Sequence, residues 1–261
     1  MIFDTHAHYD DEAFDRDREE LLDSMKEQGV GRIVNACASI ESLDRTRELM
    51  EKYPFLYGAI GIHPDDGEKV DERILEKIRL LSRHEKSVAI GEIGLDYYWH
   101  KEEKEHLLQQ KIFRAQMDIA REEKLPFMIH SRDAAKDTLD IVREYVKAGM
   151  YGGIIHCFSY SKEIAREYLD MGLYLGIGGV VTFSNGKKLK EVVEYAPLSQ
   201  LVLETDAPYL APVPNRGKRN SSLNLPFVVQ AIAEIKKIPP EEVEAVTWKN
   251  AAGLLHLPAA C

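Results

Sequence analysis

Residues 1–12 read MIFDTHAHYDDE, and this stretch decides between the two α/β folds that the chain allows. A short apolar run, residues 2–5, leads directly into His6 and His8. An open dinucleotide-binding sheet would carry a glycine-rich phosphate turn after its first strand. Because two histidines stand there instead, the stretch favours a closed barrel whose polar residues gather at the strand ends.

Beyond residue 12, short apolar runs alternate with longer charged segments as far as the end of the sequence. Eight strand-like runs cover residues 2–5, 32–36, 56–60, 87–90, 126–129, 153–155, 174–177 and 200–203. Between two of them, Leu108, Ile112, Ala115 and Ile119 form one apolar stripe of a helix. Eight strand–helix units in 261 residues predict an α/β fold, a (β/α)8 TIM barrel, with residues 1–261 as a single domain.

The amino-acid composition limits the binding partners and the cellular compartment that we expect for this protein. With 44 acidic and 34 basic residues the net charge is −10, so attraction to nucleic acid by overall charge is excluded and phosphate binding would need a local basic surface. Cys37, Cys157 and Cys261 are few and scattered, which argues against a disulfide framework and predicts a cytoplasmic protein. The acidic residues 1–12 do not resemble an export signal, and no apolar stretch is long enough to cross a membrane. No membrane and no obligate protein partner are implied.

Polar residues follow the strand-like runs at five places. His6 and His8 are two residues apart and so share a strand face. The six candidate metal ligands are His6, His8, Glu92, His130, His156 and Asp206. In a barrel their strand ends meet at one rim. A lone histidine at a strand end usually has a structural role. Four imidazoles and two carboxylates, however, are more ligands than one tetrahedral site needs, so they predict two divalent ions. Zn²⁺, Mn²⁺ and Ni²⁺ are compatible with these ligands.

Together these residues resemble the TatD family of metal-dependent deoxyribonucleases, within the amidohydrolase-like barrels. The motifs are His6-Ala-His8, Gly61-Ile-His63-Pro64, Gly91-Glu92-Ile-Gly-Leu-Asp96-Tyr97-Tyr98, Ile129-His130-Ser131-Arg132, His156-Cys-Phe-Ser159 and Glu204-Thr-Asp206-Ala-Pro-Tyr-Leu. The resemblance implies a TIM barrel, a metal centre that uses Mg²⁺ in working nucleases, and hydrolysis of DNA phosphodiesters. It implies that His6, His8, Glu92 and Asp206 hold one ion, and that Glu92, His130 and His156 hold the other.

One segment departs from the family pattern. The chain reads Arg216-Gly-Lys-Arg219-Asn220-Ser221-Ser222, where the family commonly has an acidic residue and a proline after the asparagine, and Asn224 replaces an expected tyrosine. The metal ligands are untouched, so the departure bears on substrate preference.

Three residues are candidates for catalysis. Asp206 is the expected proton acceptor. Glu204, two residues earlier on the same strand face, either orients the attacking water or is a barrel carboxylate paired with a cation. His63 either donates to a phosphate oxygen or a distal metal-bound water, or caps a turn.

Local basic residues are the candidates for substrate binding. They are Arg132, Arg216, Lys218 and Arg219, and the alternative interpretation is a solvated charged surface. Tyr97, Tyr98 and Trp99 follow Glu92 and either stack on unpaired bases or pack beneath their loop.

The sequence therefore predicts a divalent-metal-dependent hydrolase that cleaves DNA phosphodiester bonds at a strand end or in a single strand, in an exonuclease-like manner. One alternative is hydrolysis of another ester or a cyclic amide, such as an aminoacyl ester on RNA. A second is a non-catalytic binding protein that contains metal. The basic residues 216–219 favour a phosphate-containing substrate over another ester or amide. The complete set of candidate metal ligands argues against a non-catalytic protein.

Overall fold

Eight strands alternate with helices in the computed structural model, which describes residues 1–150 and 152–259. Cys261 and the end of the predicted domain 1–261 lie outside these described residues. The strands are β1 (Ile2–Ala7), β2 (Val30–Ala36), β3 (Leu56–Ala59), β4 (Ser87–Asp96), β5 (Phe127–Arg132), β6 (Gly153–Ile155), β7 (Tyr174–Ile177) and β8 (Leu201–Leu203). The helices are α1 (Arg18–Ser24), α2 (Ile40–Lys52), α3 (Glu72–Ser82), α4 (Glu103–Glu123), α5 (Ala135–Lys147), α6 (Lys162–Asp170), α7 (Lys187–Tyr195), α8 (Leu225–Lys236) and α9 (Pro240–Leu254).

The chain divides into two compact units. The first contains Met1–Asn35 and the chain from Cys157 onward, and the second is Ala36–His156. In the first unit β1 pairs with β2 and β7 with β8, all in parallel, and a bridge between Ala7 and Ala207 joins the end of β1 to the residues after β8. In the second unit β3, β4, β5 and β6 pair in sequence order, again in parallel.

Every predicted strand region is a strand with a parallel partner, so the (β/α)8 TIM-barrel fold class predicted from the sequence is confirmed. Four strands run longer than predicted, namely β1, β2, β4 and β5. The extensions of β4 and β5 stay paired beyond the apolar runs, with Gly94 opposite His130 and Asp96 opposite Arg132. Glu92 and His130 therefore lie within strands, which fixes their side chains more firmly than a loop would. That residues 1–261 form one domain stays a prediction.

Helix α4 shows how a polar residue can belong to the core. Leu108 and Ala115 of the predicted stripe are only half-buried, whereas Gln109 and Gln116 are buried along with Ile112. The buried face of α4 therefore differs from the predicted stripe, because the side-chain amides of Gln109 and Gln116 are hydrogen-bonded to backbone groups, as described below. Among the described residues, no helix combines the length and the hydropathy needed to span a bilayer.

Candidate metal centre

Two histidines and one aspartate meet in the first unit. The Nε2 atoms of His6 and His8 are 3.1 Å apart, and Asp206 Oδ1 lies 3.3 Å from His8 Nε2 and 3.8 Å from His6 Nε2. His6 is fully buried, and Asp206 keeps some exposure to solvent. Two nitrogens bound to one cation at about 2.1 Å each would stand about 3 Å apart or slightly more. This cluster therefore fits a divalent cation without rearrangement of its ring nitrogens.

Backbone hydrogen bonds between β1 and the residues after β8 bring this cluster together. The Asp206 N–H donates to the His6 carbonyl at 2.9 Å, and the His8 N–H donates to the Ala207 carbonyl at 2.7 Å. Asp206 has a φ of 57°, in the left-handed region that aspartate tolerates better than most residues. The chain thus leaves the β8 direction at Asp206 and turns its carboxylate toward the two imidazoles.

A buried carboxylate that the sequence analysis did not select, Asp4, supports this turn. It accepts hydrogen bonds from Ser222 Oγ at 2.6 Å, Thr205 Oγ1 at 2.7 Å and the Thr205 N–H at 3.0 Å. Burial raises its pKa to about 7, although these hydrogen bonds work in the opposite direction. Ser222 also donates its N–H to the Tyr9 hydroxyl at 2.8 Å, and Asn220 Nδ2 donates to the Thr205 carbonyl at 2.9 Å.

Glu204 is fully buried on the same strand extension as Asp206. Its Oε1 accepts the Cys157 N–H at 2.6 Å, so the carboxylate fixes the backbone just after His156 in the sequence. A side chain at Gly176 would come within 2.0 Å of Glu204 Oε2, and this glycine therefore makes the room that the carboxylate occupies.

Glu92 is the centre of the second unit's cluster. Its Oε1 lies 2.9 Å from His130 Nδ1, 3.5 Å from His156 Nε2 and 3.9 Å from His63 Nε2. Glu92 and His156 are almost completely buried, whereas His63 and His130 are partly open. Ligand atoms of His63, Glu92 and His130 lie within 4.8 Å of one another. Three imidazoles around one buried carboxylate are a donor set that suits a divalent transition metal.

Asp96 orients His130 and was also missed as a site residue. Its Oδ2 lies 3.1 Å from His130 Nε2, so both ring nitrogens of His130 face carboxylates. Burial disfavours the charged imidazole, but the hydrogen bonds with Asp96 and Glu92 outweigh it and raise the pKa of His130 to about 9. Asp96 lies four residues after Glu92 in one strand, hence on the same face, and that spacing was the available sequence signal.

His63 presents its Nε2 to Glu92 at 3.9 Å, which is beyond hydrogen-bond distance. Burial and the neighbouring charge on His130 lower the pKa of His63 to about 4, so its ring is neutral. The backbone N–H of Asp65 donates to His63 Nδ1 at 3.2 Å, which leaves the proton on Nε2. His63 therefore caps a turn and also offers an N–H at the cluster, so its two predicted interpretations are compatible.

Two glutamines of α4 hold the backbone that carries this cluster. Gln116 accepts the Ile62 N–H at 2.8 Å and donates to the Ile62 carbonyl at 3.1 Å. Gln109 makes the same pair of bonds with Asp96, at 2.9 and 3.2 Å. Seven residues separate the glutamines, so one helix face fixes the residue before His63 and the aspartate beside His130.

The predicted basic residues have different environments. Arg219 binds both carboxylate oxygens of Asp17 and the Ala13 carbonyl, so its guanidinium is held within the first unit. The Arg216 guanidinium carbon lies 4.3 Å from the centre of the ring of the buried residue Phe183, and Lys218 is exposed. Arg132 is exposed at the end of β5.

Each unit thus brings together part of the predicted ligand set: His6, His8 and Asp206 in the first, and Glu92, His130 and His156 in the second. His63 joins the second cluster, and Glu204 accepts the backbone N–H of Cys157 in the first unit. Two histidines outside the clusters also have polar or aromatic contacts, since His100 contacts Asp65 and His106 stacks on Tyr97. The sharing of Glu92 between two ions stays a prediction.

Comparisons with known proteins identify the family that the chain resembles. The sequence model of a family described as TatD related DNase matches residues 3–256. The chain is 46% identical over 257 residues to an uncharacterized metal-dependent hydrolase, YabD, of Bacillus subtilis (strain 168), which covers 98% of this chain and 100% of the relative. It is 36% identical over 262 residues to another, YcfH, of Escherichia coli (strain K12), with 99% and 97% covered. The crystal structure of YJJV, a TatD homolog from Escherichia coli K12, superimposes with a TM-score of 0.91 at 30% identity and covers 98% of each chain.

Proposed function

This chain belongs to the TatD-related DNase family and is a metal-dependent hydrolase, and we propose that it cleaves phosphodiester bonds at the end of a DNA strand or in a short single strand. The relatives named above carry the coarser description of metal-dependent hydrolase. The choice of DNA is supported by the local basic residues of a chain whose net charge is −10.

The proposal assigns two divalent ions to the two clusters. His6, His8 and Asp206 would hold the first, Glu92 with His130 and His156 the second, and the family pattern adds Glu92 to the first. Mg²⁺ is the ion that the family resemblance implies, and Mn²⁺, Zn²⁺ or Ni²⁺ also suit imidazole and carboxylate ligands. When bound, divalent cations acidify water and stabilise negative charge on a phosphoryl group.

The side chains of this chain have separate roles in the proposal. Asp206 accepts the proton of the attacking water, since its carboxylate is the partly exposed member of the first cluster. His63 donates a hydrogen bond from its Nε2–H to a phosphoryl oxygen, because its neutral ring carries hydrogen at that atom. Glu204 is the second candidate for proton acceptor, being buried two residues before Asp206.

The observation that carries the phosphodiester assignment is the cluster of three imidazoles around the buried carboxylate of Glu92, with Arg132 two residues beyond His130. A phosphate needs both a charge-stabilising centre and a flanking cation. Arg216, Lys218 and Arg219 belong to the proposal as further phosphate contacts, with Arg219 having to leave Asp17 in order to reach one. A cytoplasmic location is also part of it, supported by the scattered cysteines.

A substrate panel with defined metal content tests the proposal. The full chain is stripped of metal, checked by elemental analysis, and reloaded with Mg²⁺, Mn²⁺, Zn²⁺ or Ni²⁺ alone. Each form is assayed on single-stranded DNA, duplex DNA and RNA with label at one end, on an aminoacyl ester of RNA, and on a cyclic amide. We expect single nucleotides to be released from single-stranded DNA, and chelation to abolish the activity.

Two outcomes would contradict the proposal. Hydrolysis of the ester or the amide without cleavage of any nucleic acid would assign this site to another substrate class. Full DNA cleavage by protein shown to be metal-free would exclude the two-ion centre.

A further inference from the structure

The loop after β4 contains three consecutive aromatic residues, one of which is packed against the protein while the other two are exposed. Tyr97 is packed: its ring lies on His106 with 3.6 Å between ring centres, and its hydroxyl donates to Asp137 at 2.9 Å. Tyr98 and Trp99 are 42% and 66% exposed. Their rings meet edge to face with 4.6 Å between ring centres, so together they form one exposed aromatic surface.

The two exposed rings are held in place by a residue of the metal cluster. Asp96 Oδ1 accepts the N–H groups of Tyr98 at 2.8 Å and Trp99 at 3.2 Å, while its Oδ2 faces His130 Nε2. The same carboxylate thus orients a proposed metal ligand and fixes the backbone of the aromatic pair. A molecule that contacts these rings is consequently positioned relative to His130 and Glu92.

Positive charge accompanies the rings. The Arg132 guanidinium carbon lies 3.9 Å from the centre of the Tyr98 ring and 5.7 Å from that of Trp99. Lys101 Nζ lies 5.4 Å from the Tyr98 ring. No carboxylate forms an ion pair with Arg132 in residues 1–150 and 152–259, whereas Arg219 is paired with Asp17. Arg132 can therefore bind a phosphate without first breaking an ion pair.

We propose that Tyr98, Trp99 and Arg132 form a subsite for an unpaired nucleobase and its phosphate. The inference rests on the proposed function, and it adds the part of the substrate that the metal clusters cannot recognise. Trp99 stacks on the base, and Arg132, held flat on Tyr98, binds the adjacent phosphate. In a duplex the faces of each base are covered by its neighbours, so this subsite selects single strands and frayed ends.

Fluorescence tests the subsite without hydrolysis. The chain has two tryptophans, so Trp248→Phe leaves Trp99 as the reporter. In excess chelator, a five-nucleotide single strand should quench the emission of Trp99, and an abasic strand of equal length and charge should not. Equal quenching by both strands, or none by either, would overturn the base-stacking role.

Kinetics with matched variants complete the test. Trp99→Ala should raise KM on base-containing single strands about 10- to 100-fold and leave KM on the abasic strand unchanged, since stacking is lost and phosphate contacts stay. Tyr195→Ala, which removes another exposed tyrosine beside a lysine, is the control and should change neither value. Loss of activity on both strands by Trp99→Ala would show a structural role and refute the subsite.

The subsite and the proposed function fail in different ways. Cleavage of DNA with no selective quenching refutes the subsite alone. Selective quenching with no cleavage of any phosphodiester refutes the proposed reaction and supports the subsite as a nucleobase-binding surface.

Discussion

The two clusters use the same residue types but are supported in opposite ways. In the first unit, Asp4 is sealed among hydroxyl and backbone donors, and Arg219 is tied to Asp17. In the second unit, Asp96 links His130 to a loop with two exposed rings, and Arg132 lies on one of those rings. The first cluster is therefore supported by buried hydrogen bonds, whereas Asp96 joins the second cluster to a loop with exposed aromatic side chains.

The largest effects should come from the ligands themselves. Glu92→Ala should release both ions and reduce activity to background, because the proposal gives this carboxylate to both. Asp206→Asn should keep the second unit's ion, leave the fold unchanged and lower kcat by about 10²- to 10⁴-fold, the usual loss for a general base. Metal content by mass spectrometry, with single-turnover rates, distinguishes the two variants.

Two results would break this part of the comparison. If Glu92→Ala retained both ions, the clusters would bind metal independently and the carboxylate would not be shared. Near-normal cleavage by Asp206→Asn with full metal content would move the proton acceptor elsewhere, with Glu204 the next residue to change.

The next largest effect should follow from Asp96. Asp96→Asn keeps an oxygen for the loop N–H groups but no longer faces His130 with a full carboxylate, so metal affinity should fall about 10- to 100-fold. Competition with a chelating dye measures this loss. Ser222→Ala, which removes a hydroxyl from Asp4, should instead lower the free energy of unfolding and leave metal affinity unchanged; equal losses of affinity would contradict the assigned difference.

A smaller effect is expected from Gln116, the residue of α4 that binds the backbone of Ile62. Gln116→Leu leaves the buried Ile62 N–H and carbonyl without their amide, which should reduce the free energy of unfolding by about 1–3 kcal/mol. Because His63 follows Ile62, kcat should fall as well, with Gln116→Glu recovering part of it through the remaining acceptor. Chemical denaturation and kinetics at a temperature where all variants are folded measure both.

Gln230→Leu is the control for this prediction, because that glutamine is exposed and bonds only to Glu234 among the contacts described. A normal kcat for Gln116→Leu despite reduced stability would mean that α4 supports the fold and does not position His63.

The smallest effect is expected from His100, whose contribution to the free energy of unfolding should depend on pH. Burial opposes the charge on His100, but Asp65 and Glu105 raise its pKa overall. A raised histidine pKa stabilises the folded state below the ordinary value of about 6.5, and that contribution is lost as pH rises through the raised pKa. His100→Gln should therefore cost less than about 1 kcal/mol at pH 5 and nothing at pH 9.

Urea unfolding at both pH values, repeated in an Asp65→Asn background, isolates the pair. A cost that is the same at both pH values would show that His100 acts through packing and not through its charge.

Periodicity and motif spacing predicted the fold and the side chains that each cluster brings together, because both depend on local patterns. Strand runs are apolar on both faces, and Glu92, His130 and Asp206 interrupt or follow them. The supports could not be predicted in the same way. Gln109 and Gln116 look like ordinary polar helix residues, and only the structure shows that their amides meet backbone groups far away in sequence.

Charge was the least predictable property. Arg132, Arg216, Lys218 and Arg219 were one group in the sequence, yet Arg219 has a carboxylate partner and Arg132 an aromatic one. Such partners come from other segments, and no spacing within the basic segments records them. The aromatic residues likewise divided between packing for Tyr97 and exposure for Trp99.

The segment after β8 is held at both ends by hydrogen bonds, since Asp206 and Ala207 pair with the backbone of His6 and His8 at its start. Asn220 and Ser222 bind Thr205, Tyr9 and Asp4, whereas residues 213–218 are largely exposed. Insertions or deletions in 213–218 can therefore accumulate without disturbing the turn at Asp206. When a gene of this kind is duplicated, the two copies can diverge in this segment first and acquire different substrates while keeping an unchanged metal cluster.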